Sequence, residues 1–161
     1  MIMRVEFYKD DEARLCGWCA TPPHRRPFEG STMAAGRDLP HDLMQFTIER
    51  ALDIRAGFWG LLAHGGSFSS VPGRRPTRDG LAIVRLYRPA LIATEGIVNG
   101  HYLAWRRGQS TPMKPALDAM YGQWLALHPG ARLALEWHVA PLPEPTARSK
   151  PHRVARQLRK H

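Results

Sequence analysis

The chain has 161 residues, of which 43% are hydrophobic and 23% charged, values typical of one globular domain with its own core. No segment reaches the roughly 18 apolar residues that a membrane-spanning helix requires. The charged N-terminal stretch, from Arg4 onward, is unlike a secretory signal. The formal net charge of +9 favours an anionic partner. We therefore expect a basic cytoplasmic protein.

The first 37 residues are predicted to form a β-hairpin followed by an irregular segment. Residues 2–8 and 14–20 alternate enough to be two strands, and the polar stretch KDDEA between them suits a turn. Residues 21–37 are rich in proline and glycine. They predict a loop with a short strand in the stretch STMAA.

The two cysteines of the hairpin raise the question of a metal site. Cys16 and Cys19 are followed by His24 at a C-x2-C-x4-H spacing, and Glu29 stands where a fourth ligand would come. Structural zinc takes four ligands and prefers thiolate and imidazole, so glutamate is unusual there. The prolines after Cys19 disfavour the helix start that a thioredoxin-like pair needs. We predict two reduced thiols at a strand end, with no metal.

The rest of the chain predicts about four helices and a final strand. Asp38 suits the N-cap of a helix that runs to about Leu52, with Pro40 in its first turn. Further helices are predicted at 58–64, 79–88, 90–108 and 114–127, with a stop or kink at Pro89. Residues 132–139 alternate strictly and predict a strand. This order indicates an α+β domain over residues 1–140, in which the last strand returns to a small antiparallel sheet.

The predicted first helix carries a narrow polar arc. At 100° per residue, His41, Gln45, Glu49 and Asp42 span about 100°, with apolar residues on both sides. A helix of this kind is expected to be buried around most of its girth, with the arc facing a cleft or a strip of water. Two carboxylates beside an imidazole form a general acid–base set or a divalent-metal site. The alternative is a capped helix, in which Asp42 favours the helix dipole and Glu49 pairs with a basic neighbour.

Three stretches, DLPHDLMQFTIE, GFWGLLAHGGSF and LALEWHV, resemble a family of small bacterial proteins of uncharacterised function. The family pattern is H-D-L-x-H-F-x-V-E, then G-F-W-G-x-x-A-x-G-x-x-F, then L-x-L-x-W, and the likeness covers most of residues 38–139. It implies one α+β domain and no particular activity. His41, Asp42 and Glu49 match the polar stripe of the family, and Phe58, Trp59 and Gly60 match its second motif. This chain has Gln45 where the pattern has a second histidine, so a family metal site would be lost or altered here.

More than half of the excess positive charge lies at the C-terminus. Residues 141–161 hold six Lys or Arg against Glu144, which is +5 of the total +9. This Pro-rich, weakly hydrophobic composition predicts a tail peripheral to the fold. A second basic stretch, SSVPGRRPTR at 69–78, predicts an exposed loop.

These observations lead to two functional hypotheses. The first is a binding or accessory protein that contacts an anionic partner such as nucleic acid through the basic loop and the tail. The phosphate-contacting residues would be Arg74, Arg75, Arg78, Arg85, Arg88, Arg148, Lys150, Arg153, Arg156, Arg159 and Lys160. The second is an acid–base or metal-assisted hydrolase that uses His41, Asp42 and Glu49. The charge is present in the sequence and a complete active site is not, which favours the first.

Overall fold

The computed structural model describes residues 1–146 of the chain. The elements in chain order are β1 (Ile2–Lys9), β2 (Leu15–Thr21), β3 (Phe28–Glu29), β4 (Met33–Ala34), α1 (His41–Ala51), α2 (Phe58–Ala63), α3 (Arg78–Leu86), α4 (Arg88–Arg106), α5 (Lys114–Ala126) and β5 (Arg132–His138). The predicted α+β class is confirmed. Within the described residues, no helix combines the length and the apolar character needed to cross a membrane.

One antiparallel sheet forms the base of the fold. Its strand order is β3-β2-β1-β5, with β4 also paired to β2. Val5 of β1 lies opposite Ala20 of β2 and opposite Leu135 of β5. The last strand therefore returns to the first hairpin, as the order of the predicted elements indicated.

The core lies between one face of this sheet and the helices. Met3, Val5 and Phe7 project from the central strand into it, because every second residue of a strand faces the same side. Helix α1 lies deep in this layer and contacts both α4 and α5. All of its residues from Leu43 to Glu49 are buried. This explains why apolar residues flank the polar arc of α1 on both sides.

The start of α1 differs from the prediction that Asp38 caps it. The helix begins at His41, and Pro40 precedes it with ψ at 141°, in the extended region. A residue that precedes a proline is disfavoured in the helical conformation, so Leu39 cannot easily begin the helix. The carbonyl of Pro40 accepts the first helical hydrogen bond, from the Met44 amide at 2.9 Å. Asp38 instead lies 3.7 Å from the Arg106 guanidinium.

A sharp elbow separates α3 from α4. Only Tyr87 lies between them, and Pro89 stands in the first turn of α4, where its missing N–H costs nothing. The Tyr87 hydroxyl donates to the carbonyl of Pro143 at 2.7 Å, and Leu142 packs against the Tyr87 cluster. Residues 141–146, the start of the predicted tail, thus lie against the elbow.

We predict opposite effects of alanine at two helical glycines. A Cβ on Gly60 would overlap the backbone carbonyl of Arg55, whereas a Cβ on Gly96 would meet nothing within 4 Å. Gly60→Ala should lower the free energy of unfolding by about 2 kcal/mol or more, and Gly96→Ala should raise it by about 0.5–1 kcal/mol. Urea denaturation followed by circular dichroism measures both. Equal effects would show that the close approach at Gly60 is not a constraint.

Candidate functional site

The carboxylate of Glu49 caps helix α2. Its Oε1 accepts hydrogen bonds from the Phe58 amide at 3.0 Å and from the Gln45 side-chain amide at 2.8 Å. Its Oε2 accepts from the Trp59 amide at 3.0 Å. The first amides of a helix have no partner within the helix, so this carboxylate satisfies two of them. Gly57 permits the contact, because a Cβ there would collide with the carboxylate.

Burial dominates the ionisation of Glu49. The side chain is fully buried, and this desolvation outweighs the three donated hydrogen bonds and raises its pKa to about 7. Among the described residues, no basic side chain forms an ion pair with it. The alternative of a Glu49 ion pair is therefore wrong, because the carboxylate is occupied by backbone amides.

His41 and Asp42 lie at the other end of α1 and form a pair. Their Nδ1 and Oδ1 atoms are 3.4 Å apart, and the Trp18 indole donates to the Asp42 Oδ2 at 2.8 Å. The hydrogen bond with Asp42 raises the pKa of His41, against a smaller opposing effect of burial. The Trp59 indole donates to the backbone carbonyl of Asp42 at 3.2 Å. Two buried tryptophans therefore hold the first turn of α1 in place.

His41 and Asp42 line a large cleft, and Glu49 does not. The cleft has a volume of about 680 Å³ and lies between α1, α3 and α4. Its lining residues are Ser31, Met33, His41, Asp42, Gln45, Phe58, Phe68, Ser70, Leu81, Val84, Arg85, Arg88, Leu91, Ile92 and Glu95. Glu49 borders a separate cavity of about 140 Å³. The structure thus brings two of the three predicted catalytic residues together and assigns Glu49 to the support of α2.

The pair by itself supports proton transfer at the cleft. An imidazole held by a carboxylate can donate or accept a proton from a bound molecule. Asp42 is also committed to the Trp18 indole. Glu49, the second carboxylate of the predicted acid–base set, lies at the other cavity, and Glu95 of α4 is a further carboxylate in the lining of the cleft.

The five arginines that the first hypothesis names between residues 74 and 88 comprise one half-buried side chain, Arg74, and four exposed ones. Arg74 donates to the carbonyls of Leu62 at 3.1 Å and Gly66 at 3.4 Å, and its guanidinium lies 4.7 Å from the Phe28 ring centroid. Burial lowers its pKa. Arg74 therefore holds the loop to the core through its Nη1 atom.

The other four predicted arginines of this region are exposed. They are Arg75, Arg78, Arg85 and Arg88. Within residues 1–146, none of the four forms an ion pair. Arg85 and Arg88 line the cleft. The predicted tail residues Arg148, Lys150, Arg153, Arg156, Arg159 and Lys160 lie outside the described part of the chain.

The two cysteines project from opposite faces of β2. Cys16 is buried on the core side, while Cys19 pairs with Glu6 and Glu29 across the sheet. Positions three apart in a strand face opposite sides, so the two sulfurs cannot converge on one metal. Burial raises the pKa of both thiols. The structure groups no three potential metal ligands within residues 1–146.

The apolar wall of the cleft was not predicted from the sequence. Leu81 and Val84 come from α3, and Leu91 and Ile92 come from α4. The sequence signal for this wall is the number of large apolar residues in the predicted helices at 79–88 and 90–108. They are more than the buried faces of α3 and α4 hold. Only Thr94 and Val98 of the 19-residue α4 are buried.

Comparisons of the chain with models of known protein families, with curated proteins and with solved structures gave no match. The likeness to the small bacterial family therefore stays a resemblance. What the cleft does must be inferred from its geometry.

The raised pKa of Glu49 predicts that stability falls as pH rises. Below pH 4.5 the carboxyl is protonated in both the folded and the unfolded state; between 4.5 and about 7 only the folded state keeps the proton. The free energy of unfolding should therefore fall by about 3 kcal/mol across this range and level off above it. Urea unfolding between pH 4.5 and 8 measures this loss.

Two variants isolate the contribution of Glu49. Glu49→Gln should remove most of the pH dependence, because an amide does not titrate in this range. Glu95→Gln, at an exposed carboxylate on α4, should preserve it. If the three proteins have parallel pH profiles, the titration belongs to another group.

The hydrogen bond to Asp42 predicts an elevated pKa for His41. Asp42→Asn should lower the pKa of His41, since an amide gives neither the charge nor the same acceptor to the imidazolium. Titration of the imidazole protons by NMR measures it, with His128, an exposed histidine after α5, as the internal control. An unchanged pKa of His41 in Asp42→Asn would contradict the pairing of His41 with Asp42.

Proposed function

We propose that this protein is a cytoplasmic binding or accessory protein that contacts an anionic partner, with nucleic acid as the first candidate. The observation that supports the proposal is the group of four exposed arginines, Arg75, Arg78, Arg85 and Arg88, without an ion pair among the described residues. Charged side chains left without a partner are available to phosphate oxygens. The free thiols agree with a reducing compartment.

The spacing of the arginines supports contact with an extended polyanion. Arg78 and Arg85 are seven residues apart on α3, which places them on nearly the same side of the helix. Arg88 opens α4 one residue after the elbow. Contacts of this kind bind phosphates without reading the base sequence. The tail would add its six basic residues to the same partner.

The test measures affinity for duplex and single-stranded nucleic acid against salt concentration. Arg85→Ala/Arg88→Ala should make the slope of log affinity against log salt shallower by about 2, because each lost phosphate contact contributes about 0.9. Truncation after Thr146 keeps the residues that pack on the elbow and removes the six basic residues of the tail. It should make the same slope shallower by about 5, again at about 0.9 for each phosphate contact.

The matched control is Arg37→Ala/Arg107→Ala. It removes the same charge from two exposed arginines, and Arg107 lies just beyond the C-terminal end of α4, about 28 Å from Arg88 by the rise of the helix. Its slope should equal that of the wild type if the exposed group is the contact surface. Equal losses in both double variants would indicate a general charge effect, and no binding at low salt would refute the proposal.

A second candidate is acid–base hydrolysis, favoured by the position of the His41–Asp42 pair in the wall of the cleft. It would use His41 to transfer a proton and Asp42 to orient the ring. Hydrolysis of a nitrophenyl ester or phosphate by the wild type but not by His41→Ala would support this candidate. Glu49 has no part in it, because its carboxylate caps α2.

A further inference from the structure

Helices α3 and α4 expose large apolar side chains to solvent at the cleft. Leu81 is 48% exposed and Ile92 is 63% exposed, and both line the cleft between α1, α3 and α4. Half-buried Val84 and Leu91 continue the same wall. Apolar surface gathered in one concavity gains free energy when a ligand covers it, at roughly 25 cal/mol per Å².

Two cations that form no ion pair within residues 1–146 lie in this apolar wall. Arg85 and Arg88 line the cleft and also a second cleft of about 880 Å³, which Pro145 and Thr146 border as well. A guanidinium can hold a carboxylate or a phosphate with two parallel hydrogen bonds. The concavity thus combines an apolar surface with a pair of anion-binding groups.

The other charged groups of the cleft lie away from this pair. Glu95 is seven residues after Arg88 on α4, about 10 Å along the helix axis. It acts on the ionisation of His41, which places it near the His41–Asp42 pair. The cleft therefore has a cationic end at the elbow and a carboxylate-bearing end at the start of α1, which would repel an anionic head group.

We propose that the cleft between α1, α3 and α4 binds a small amphipathic anion, with its carboxylate or phosphate head on Arg85 and Arg88 and its apolar body along Leu81, Val84, Leu91 and Ile92. The volume of about 680 Å³ falls in the range of sites for small ligands. The opposed charges at the two ends set the direction in which the ligand lies. This site goes beyond the proposed function, since it takes a small molecule and needs neither Arg75 nor Arg78.

The experiment titrates the full-length protein with sodium decanoate, below its micelle concentration, and with 1-decanol as the uncharged counterpart. Backbone amide chemical shifts in NMR spectra report the site and the affinity. We expect one decanoate per chain, with the largest shifts between residues 78 and 95 and at His41 and Asp42. The affinity for decanol should be at least about tenfold lower than that for decanoate.

One variant and a matched control locate the site. Leu81→Asp places a carboxylate in the apolar wall and should weaken decanoate binding at least tenfold. Leu103→Asp makes the same change at a residue of α4 that is 47% exposed and lines neither cleft, and it should change the affinity by less than twofold. Both positions are exposed, and the thermal midpoint checks that each variant folds.

The arginines are tested by the difference between the two ligands. Arg85→Ala/Arg88→Ala should weaken decanoate about tenfold or more and leave decanol nearly unchanged, because only the ionic head needs a guanidinium. Equal effects of Leu81→Asp and Leu103→Asp, equal affinities for decanoate and decanol, or no saturable binding would each overturn the inference.

The same variants separate this inference from the proposed function. Arg75→Ala/Arg78→Ala should weaken nucleic-acid binding and leave decanoate binding unchanged. Saturable decanoate binding in the absence of nucleic-acid binding would support the cleft and refute the proposed function. Nucleic-acid binding without decanoate binding would do the reverse.

Discussion

The arrangement of this protein depends on the hydrogen bonds from the Glu49 carboxylate to the first amides of α2. Through them α1, which lies against the sheet, holds the short helix that follows it. A six-residue helix cannot form by itself, since nucleation costs more than its few hydrogen bonds return. Gly57 and Gly60 admit the approaching carboxylate and the Arg55 carbonyl. The stretches DLPHDLMQFTIE and GFWGLLAHGGSF thus supply the two sides of one contact.

This contact leaves the start of α1 to face the cleft. Trp59, the second residue of α2, packs edge-on against Trp18 at a centroid separation of 4.8 Å. The indoles of both tryptophans donate to Asp42, and the Asp42 carboxylate in turn lies against His41. The same helix therefore supports the fold with its C-terminal half and presents His41 and Asp42 to the cleft with its N-terminal turn. Glu49, which supports α2, and the His41–Asp42 pair, which faces the cleft, lie at opposite ends of one polar arc.

The elbow between α3 and α4 leaves large apolar side chains and charged groups in contact with solvent. It exposes Leu81, Leu86 and Ile92 beside two guanidinium groups that form no ion pair within residues 1–146, whereas α1 is buried from Leu43 to Glu49. Neither feature strengthens the domain, because apolar surface in water and isolated charges contribute little to stability. Both become favourable once an anionic molecule with an apolar part covers them. This contrast with the packed aromatic core is the reason that both proposals place binding at the elbow.

Local pattern by itself determined the class of fold and most of its elements. Strict alternation over 132–139 predicts β5, and proline in the first turn of α4 marks the elbow, because such signals depend only on neighbouring residues. The sequence also showed that α1 is buried around most of its girth. Only the tertiary structure decided what the polar arc does. The helical angle predicts Glu49 beside Asp42, yet the Glu49 carboxylate accepts hydrogen bonds from the first amides of α2. The cleft is lined by side chains that are far apart in the chain. Hydrogen-bond partners and concave surfaces depend on how elements pack, which periodicity along one helix does not contain.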